Sequence, residues 1–418
     1  MSTRRIIATY AFVMFFLVIA LLGTVTAAFG GTSYTEAAGR QSLYTLTAAK
    51  ARGTIYDRNL QPLTNAERVY VAAVIPSRET LAKLNRAVPE EKREVLRTAL
   101  ESGKPFLIEV TTPVSDDGIQ TFSVTKRYAN PQPAANLLGY LDSDYNGADG
   151  VEKSFDALLA ENHGEIDVTF AIDALGNAIS GETMHVENTY PIADGGVMLT
   201  LDKRIQQCVE KACAEIEKGA AIILDCKTGE ILASASFPAV DPNDLAACME
   251  NEDAPFVNRA LCAYTPGSVF KLITASAGLD SGIMNTNQTF YCGGSLVVNE
   301  GSELWEHTYH CANGEVHNLQ DMAQALDNSC NLWFIQAAQT LQPTVFYDYI
   351  QAFGFTQPTG IDLPSETRWT SVYNAQQMAE VDTNLYTAAF GQNEAITPMQ
   401  MATAIAAIAN GGYLVTPY

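Results

Sequence analysis

Tyr264-Thr265-Pro266-Gly267-Ser268-Val269-Phe270-Lys271 carries the densest chemical signal in the chain. Pro266-Gly267 marks a turn, and Ser268 opens an apolar stretch that reads as a helix over about 268–280. Positions three apart share a helix face, so Ser268 and Lys271 become neighbours. A lysine held among apolar side chains has its ammonium destabilised and its pKa lowered. The neutral amine can then take a hydroxyl proton, which makes Ser268 a candidate nucleophile. The helix N-terminus adds free N–H groups and a positive field where an oxyanion would develop. S-x-x-K alone is a short pattern that also occurs by chance on helices.

Some 60 residues on, Ser329-Cys330-Asn331 lies beside a helix, in the apolar stretch 319–340. A hydroxyl and an amide at that spacing can support proton transfer and hold a substrate amide. The same pair also reads as a helix cap.

Together the two segments resemble the serine acyl-transferase set of the penicillin-binding proteins and β-lactamases, S-x-x-K plus S-x-N plus K-T-G. The flanking sequence extends the likeness. Arg52-Gly53-Thr54-Ile55-Tyr56-Asp57-Arg58 is similar to the R-G-x-I-x-D-R segment of class B penicillin-binding proteins. Leu138-Gly139-Tyr140 with Gly150-Val151-Glu152-Lys153, and Leu199-Thr200-Leu201-Asp202, resemble later segments of the same family. Asn258-Arg259-Ala260, Thr359-Gly360-Ile361-Asp362-Leu363-Pro364, Phe390-Gly391-Gln392, Thr397-Pro398-Met399-Gln400 and Ala409-Asn410-Gly411-Gly412 continue it in family order, over roughly 50–418.

The resemblance implies a D,D-transpeptidase with Ser268, Lys271, Ser329 and Asn331 as its site. Ser268 would attack the D-Ala–D-Ala end of a peptidoglycan stem peptide, release D-Ala, and pass the acyl group to an amine on a neighbouring strand. β-Lactams would acylate the same serine. No cofactor and no metal is expected, and a membrane glycosyltransferase is a candidate partner. The resemblance also implies an α+β chain: a transmembrane helix, a small mixed pedestal domain, then a transpeptidase domain with an antiparallel sheet and helices on both its faces.

One family element is missing. From Asn331 to Tyr418 there is no K-[ST]-G and no lysine; Arg368 is the only Lys or Arg after Lys271. Lys227-Thr228-Gly229 precedes Ser268 and reads as a hairpin turn, a structural decoy. The family lysine helps bind the substrate carboxylate, and its strand supplies an oxyanion N–H. The expectation is a sequence truncated before that strand, inactive in transpeptidation as it stands. Two alternatives follow: a non-catalytic cell-wall scaffold that binds partner membrane proteins, or a β-lactamase or D,D-carboxypeptidase.

The chain begins with a five-residue cytoplasmic tail holding Arg4 and Arg5, then 24 uncharged residues, Ile6–Phe29. At ~1.5 Å per residue this run spans a ~30 Å hydrocarbon core. It is longer than the apolar region of a cleaved signal peptide, so it reads as an anchor, with Thr26-Ala27-Ala28 the competing cleavage site. The arginines place the N-terminus in the cytoplasm and the remainder outside the cell membrane, in a single pass. Residues 30–190 read as stalk and pedestal, and 195–418 as the incomplete transpeptidase domain. Strands are expected at Val69–Ile75, Phe106–Val110, Thr121–Val124, Val197–Leu201, Ala220–Leu224 and Glu230–Ser236. Helices are expected at Pro89–Leu100, from Asp202 to Lys218, and over 384–409.

The 418 residues are 47% hydrophobic and 17% charged, which excludes a disordered chain. Beyond residue 29, 23 basic and 47 acidic residues leave a net charge of −24. That surface excludes nucleic acid as a partner for the whole chain. The eight cysteines all lie between Cys208 and Cys330, at no regular spacing. Cys292 and Cys311 flank a polar segment with His307 and His310, and His317 follows. Without C-x-x-C or H-x-x-x-H, a disulfide or two unpaired thiols in a surface loop is favoured over zinc.

Overall fold

The computed structural model describes residues 3–179, 181–191, 195–298, 306–364, 366–367 and 369–418, with only the backbone for 26–41. Arg368 therefore lies outside the described residues, as do the side chains of Thr26, Ala27 and Ala28. The chain divides into two compact units. One contains 1–53, 66–127 and 162–194; the other contains 54–65, 128–161 and 195–418. This differs from the contiguous 30–190 pedestal read from the sequence. Pairing across a long sequence gap is the reason: Thr54–Tyr56 runs parallel to Gly196–Met198.

The first unit opens with one helix, Thr3–Gln41. Its Thr3–Val25 part has mean hydropathy 2.6, is unburied, and is long and apolar enough to cross a membrane. The expected stalk is part helix and part strand, since Leu43–Ala51 pairs antiparallel with Gly164–Ala171. A second antiparallel sheet places Glu67–Val74 between Phe106–Val110 and Ile119–Lys126. Alternation explains the packing. Phe122 and Val124 join Ile166, Val168 and Phe170 in one core cluster, while Ile108, Val110 and Ile119 pack with Leu84 and Leu96 in another. Leu84 belongs to Arg78–Ala87, which starts on a reciprocal capping box between Ser77 and Thr80. The expected Pro89–Leu100 helix is a 3₁₀ turn at Glu90–Lys92 followed by Arg93–Glu101.

In the second unit, Asp57 shows why the opening segment belongs there. Its carboxylate accepts the N–H groups of Asn59, Gln61 and Lys203. Burial pushes its pKa up, but these bonds win and hold it below the ordinary value. Asp202 caps the Lys203–Ala212 helix by accepting from the Arg204 N–H. That helix ends earlier than the expected Lys218. Its Gln206 amide bonds both backbone groups of Ser234, in the strand Ile231–Phe237. This strand pairs antiparallel with Gly219–Leu224, closing the expected hairpin. Lys227 and Thr228 are exposed in its turn, where their N–H groups bond Asp225.

Mostly helical structure follows. Lys271–Asp280, Asn331–Thr340 and Pro343–Ala352 share a core containing Phe270, Trp333, Phe334, Phe346 and Phe355. Two of the expected long helices are broken. The 319–340 stretch splits at Ser329, whose φ of +47° is left-handed. The 384–409 stretch splits into Asp382–Ala389 and Pro398–Ala409. Both breaks fall beside the Gly267-Ser268 segment.

Candidate active site

The segment Pro266-Gly267-Ser268 enters the Lys271–Asp280 helix through a 3₁₀ turn, Gly267–Phe270. Gly267 has φ +60°, and its N–H donates to the carbonyl of Gly391 at 2.9 Å. Gly391 itself has φ +74°, and a Cβ there would lie 2.1 Å from the Gly267 oxygen. Only glycine permits that approach. Phe390-Gly391-Gln392 thus serves as the backstop of the turn that carries Ser268. Phe270 anchors the turn from below, packing on Phe355 and Phe346. Ser268 remains exposed at the surface.

Lys271 is 1% exposed, and its ammonium end is held from several sides. Nζ lies 3.0 Å from Ser268 Oγ, 3.0 Å from Ser329 Oγ and 2.7 Å from Asn331 Oδ1. It also donates to the Ser329 carbonyl at 2.6 Å. Ser329 Oγ donates to Ser268 Oγ at 2.9 Å. Burial brings the lysine pKa down to about 8, although the neighbouring Cys311 and Cys330 thiols oppose that shift. The structure therefore joins all four residues singled out from the sequence: Ser268, Lys271, Ser329 and Asn331. They form a hydroxyl–amine–hydroxyl relay with an amide beside it.

Ser329 and Asn331 are not the helix cap that their residue types allowed. Cys330 occupies the cap, its Sγ accepting the Trp333 N–H at 3.4 Å. The left-handed Ser329 turns its hydroxyl toward Ser268 instead. Asn331 is fixed from behind, where Nδ2 donates to the His310 carbonyl at 3.3 Å.

Cys330 also reaches a group that sequence spacing did not reveal. Cys292, Cys311, His317 and Cys330 bring their ligand atoms within 4.8 Å of one another. The three cysteines are buried and form no disulfide, with Cys292 and Cys311 sulfurs 3.6 Å apart. This corrects the expectation of a disulfide or of surface-loop thiols. The missed signal was Cys330 itself, which lies between two residues already marked as chemical. A hydrogen bond from the Cys330 thiol holds the Cys311 thiol below its usual range, and the same bond raises Cys330. These four side chains are the group in the described residues suited to hold a metal ion.

Glu394 also escaped a role in the sequence. It is 1% exposed, and neither carboxyl oxygen has a hydrogen-bond partner among the described residues. Burial pushes its pKa up to about 8, so it is protonated at neutral pH. Near the nucleophile, an apolar groove runs past Ile222, Tyr264, Pro266, Val269 and Met401.

Residues 219–418 match the penicillin binding protein transpeptidase domain. Stage V sporulation protein D of Bacillus subtilis is 29% identical over 396 residues, covering 88% of this chain and 58% of that protein. The peptidoglycan D,D-transpeptidase MrdA of Acinetobacter baumannii is 26% identical, covering 88% of this chain and 61% of that protein. The chain thus spans about 60% of the length of these curated relatives. Among solved structures, the penicillin-binding protein PBP2 of Helicobacter pylori superposes with a TM-score of 0.63 at 22% identity, over 90% of this chain and 79% of that one. The same protein in complex with MreC superposes with a TM-score of 0.59 at 22% identity, over 90% and 78% of the two chains.

Proposed function

This chain belongs to the class B penicillin-binding proteins, and from that premise we propose that it is an acyl-serine D,D-transpeptidase of peptidoglycan synthesis, anchored in the cell membrane. The observation that carries the reading is Lys271 Nζ, buried and within 3.0 Å of both serine hydroxyls. The neutral amine takes the Ser268 proton as Oγ attacks the carbonyl carbon of the penultimate D-Ala. The C–N bond to the terminal D-Ala then breaks, and the departing amine collects a proton through Ser329. The acyl group stays on Ser268 as an ester. An amine from a neighbouring stem peptide attacks that ester, a new amide forms, and Ser268 recovers its proton. Asn331 is placed to hold the amide of the donor peptide while this occurs.

The N-terminus lies in the cytoplasm, because Arg4 and Arg5 precede the apolar helix. The two units then face outward, where peptidoglycan is. A protein partner fits this reading, since the Helicobacter pylori protein is seen with MreC; a membrane glycosyltransferase is the further partner proposed.

The test is acylation by a fluorescent penicillin. The protein in membranes should take up one label per chain, and Ser268→Ala should take up none; such labelling of a chain without a K-[ST]-G strand would also overturn the expectation that it is inactive as it stands. Labelling that persists in Ser268→Ala would sink the assignment of the nucleophile. Sustained nitrocefin turnover would favour a β-lactamase instead.

A further inference from the structure

Glu394 stands where the chain braces the turn that carries Ser268. The segment 389–396 runs alongside 264–274 and is tied to it at three places. Thr274 Oγ1 donates to the Ala389 carbonyl at 2.8 Å. The Gly267 N–H donates to the Gly391 carbonyl at 2.9 Å. Tyr264 and Ile396 exchange two backbone hydrogen bonds, of 2.8 and 3.0 Å. Between the last two ties, residues 392–395 stand opposite Thr265 and Pro266 alone. The surplus residues form a bulge, and Asn393 turns the chain within it at a left-handed φ of +63°.

The bulge sorts its side chains. Gln392 and Asn393 are exposed. Ala395 exchanges backbone bonds with Ser371, at 2.8 Å in each direction. Glu394 is the bulge residue that is fully buried, 1% exposed, at a position opposite the entry to the Ser268 turn. Neither of its carboxyl oxygens has a hydrogen-bond partner among the described residues.

That arrangement costs stability. A buried carboxyl without a partner loses its hydration and gains nothing, whereas an apolar side chain of similar length would not suffer this loss. Natural chains break such a rule mainly where function requires it. The physics of catalysis says what the function can be. A hydrogen bond made equally in the resting protein and in the transition state gives no acceleration; one made only in the transition state does. Hydrogen bonds of active sites are often unmade at rest and tighten during the reaction. A buried group that is unpaired at rest, behind the turn that must adjust as its serine is acylated, is arranged for the second case.

We propose that Glu394 is a positioning residue of the acylation site: its side chain takes up a hydrogen bond with the backbone of Thr265-Pro266-Gly267 as Ser268 is acylated, and so favours the reacting form of the turn. This rests on the acylation reading of Ser268. Glu394 touches no substrate and acts through the turn.

The test compares Glu394→Met with Glu394→Gln at pH 6, where the native side chain is as neutral as glutamine. Methionine matches the length and cannot make the bond; glutamine can. Acylation by fluorescent penicillin is followed over a range of concentrations, with the melting temperature of each protein. Glu394→Met should lower the limiting acylation rate by about 5–30-fold, the worth of one hydrogen bond in the transition state. Its half-saturating concentration should stay unchanged, and its melting temperature should equal or exceed that of the wild type. Glu394→Gln should retain the wild-type rate. A slower methionine variant that also melts lower would mean that the residue only packs, and would overturn the proposal. So would equal losses in both variants, or a change confined to the half-saturating concentration. A wild type that acylates and a methionine variant that matches it would overturn this proposal alone. A wild type that takes no label overturns the proposed function, and this proposal with it.

Discussion

Lys271 ties the site's chemistry to pH. Its buried amine titrates near about 8, so the free-base fraction grows as pH rises through that value. The acylation rate should therefore climb from pH 6 toward about pH 9 and then level, a profile measurable with fluorescent penicillin under single-turnover conditions. Lys271→Ala should lower that rate by about 10²–10⁴-fold. Glu394 makes the opposite demand on stability. Its native pKa of about 8 stands above the ordinary 4.5, so between those values the native state holds a proton that the unfolded chain has released. Stability should fall as pH rises across that window, by up to about 1.4 kcal/mol per pH unit, and change little beyond it. In Glu394→Gln this slope should be absent from denaturant melts taken between pH 5 and 8. Only Lys271 has a role legible in the sequence, because its partner Ser268 lies three positions away, in the turn that leads into its helix. The environment of Glu394 is assembled from chain segments that no local spacing connects.

At the scale of elements, breaks matter more than helices. The hydrophobic runs at 319–340 and 384–409 read as continuous helices, because periodicity reports burial and not the loss of a turn. Each is interrupted where it meets the nucleophile segment, at left-handed Ser329 and at Gly391. Gly391→Ala should push the Gly267 carbonyl away, since the new Cβ would sit 2.1 Å from its oxygen. The expected result is a large loss of penicillin acylation with a smaller fall in melting temperature. Equal loss of both would mean that the glycine serves folding only. Helix starts were more legible. The helix expected from Asp202 starts there, with Asp202 as its cap, so Asp202→Ala should cost about 1 kcal/mol of stability, and more if its bond to Asn59 is also cooperative. Caps can be read from sequence because donor and acceptor lie within one turn of each other.

For the whole molecule, the N-terminal helix is long and apolar enough to cross a membrane, and the proposed anchoring can be tested directly. The protein should sediment with membranes and resist alkaline extraction, and a chain lacking residues 3–25 should not. Protease added outside intact spheroplasts should degrade the two units, and protection of them would reverse the proposed orientation. The sequence by itself displayed the apolar N-terminal run, the hairpin, the family resemblance and the candidate residues Ser268, Lys271, Ser329 and Asn331. Each of these rests on local spacing or on an ordered series of short segments, which a linear chain displays directly. Tertiary structure alone decided that 54–65 and 128–161 pack with 195–418, and that Gly391 braces the nucleophile turn. It also gathered Cys292, Cys311, His317 and Cys330 behind the site. Those are contacts between residues far apart in the chain, and only the burial of a common core brings them within bonding distance.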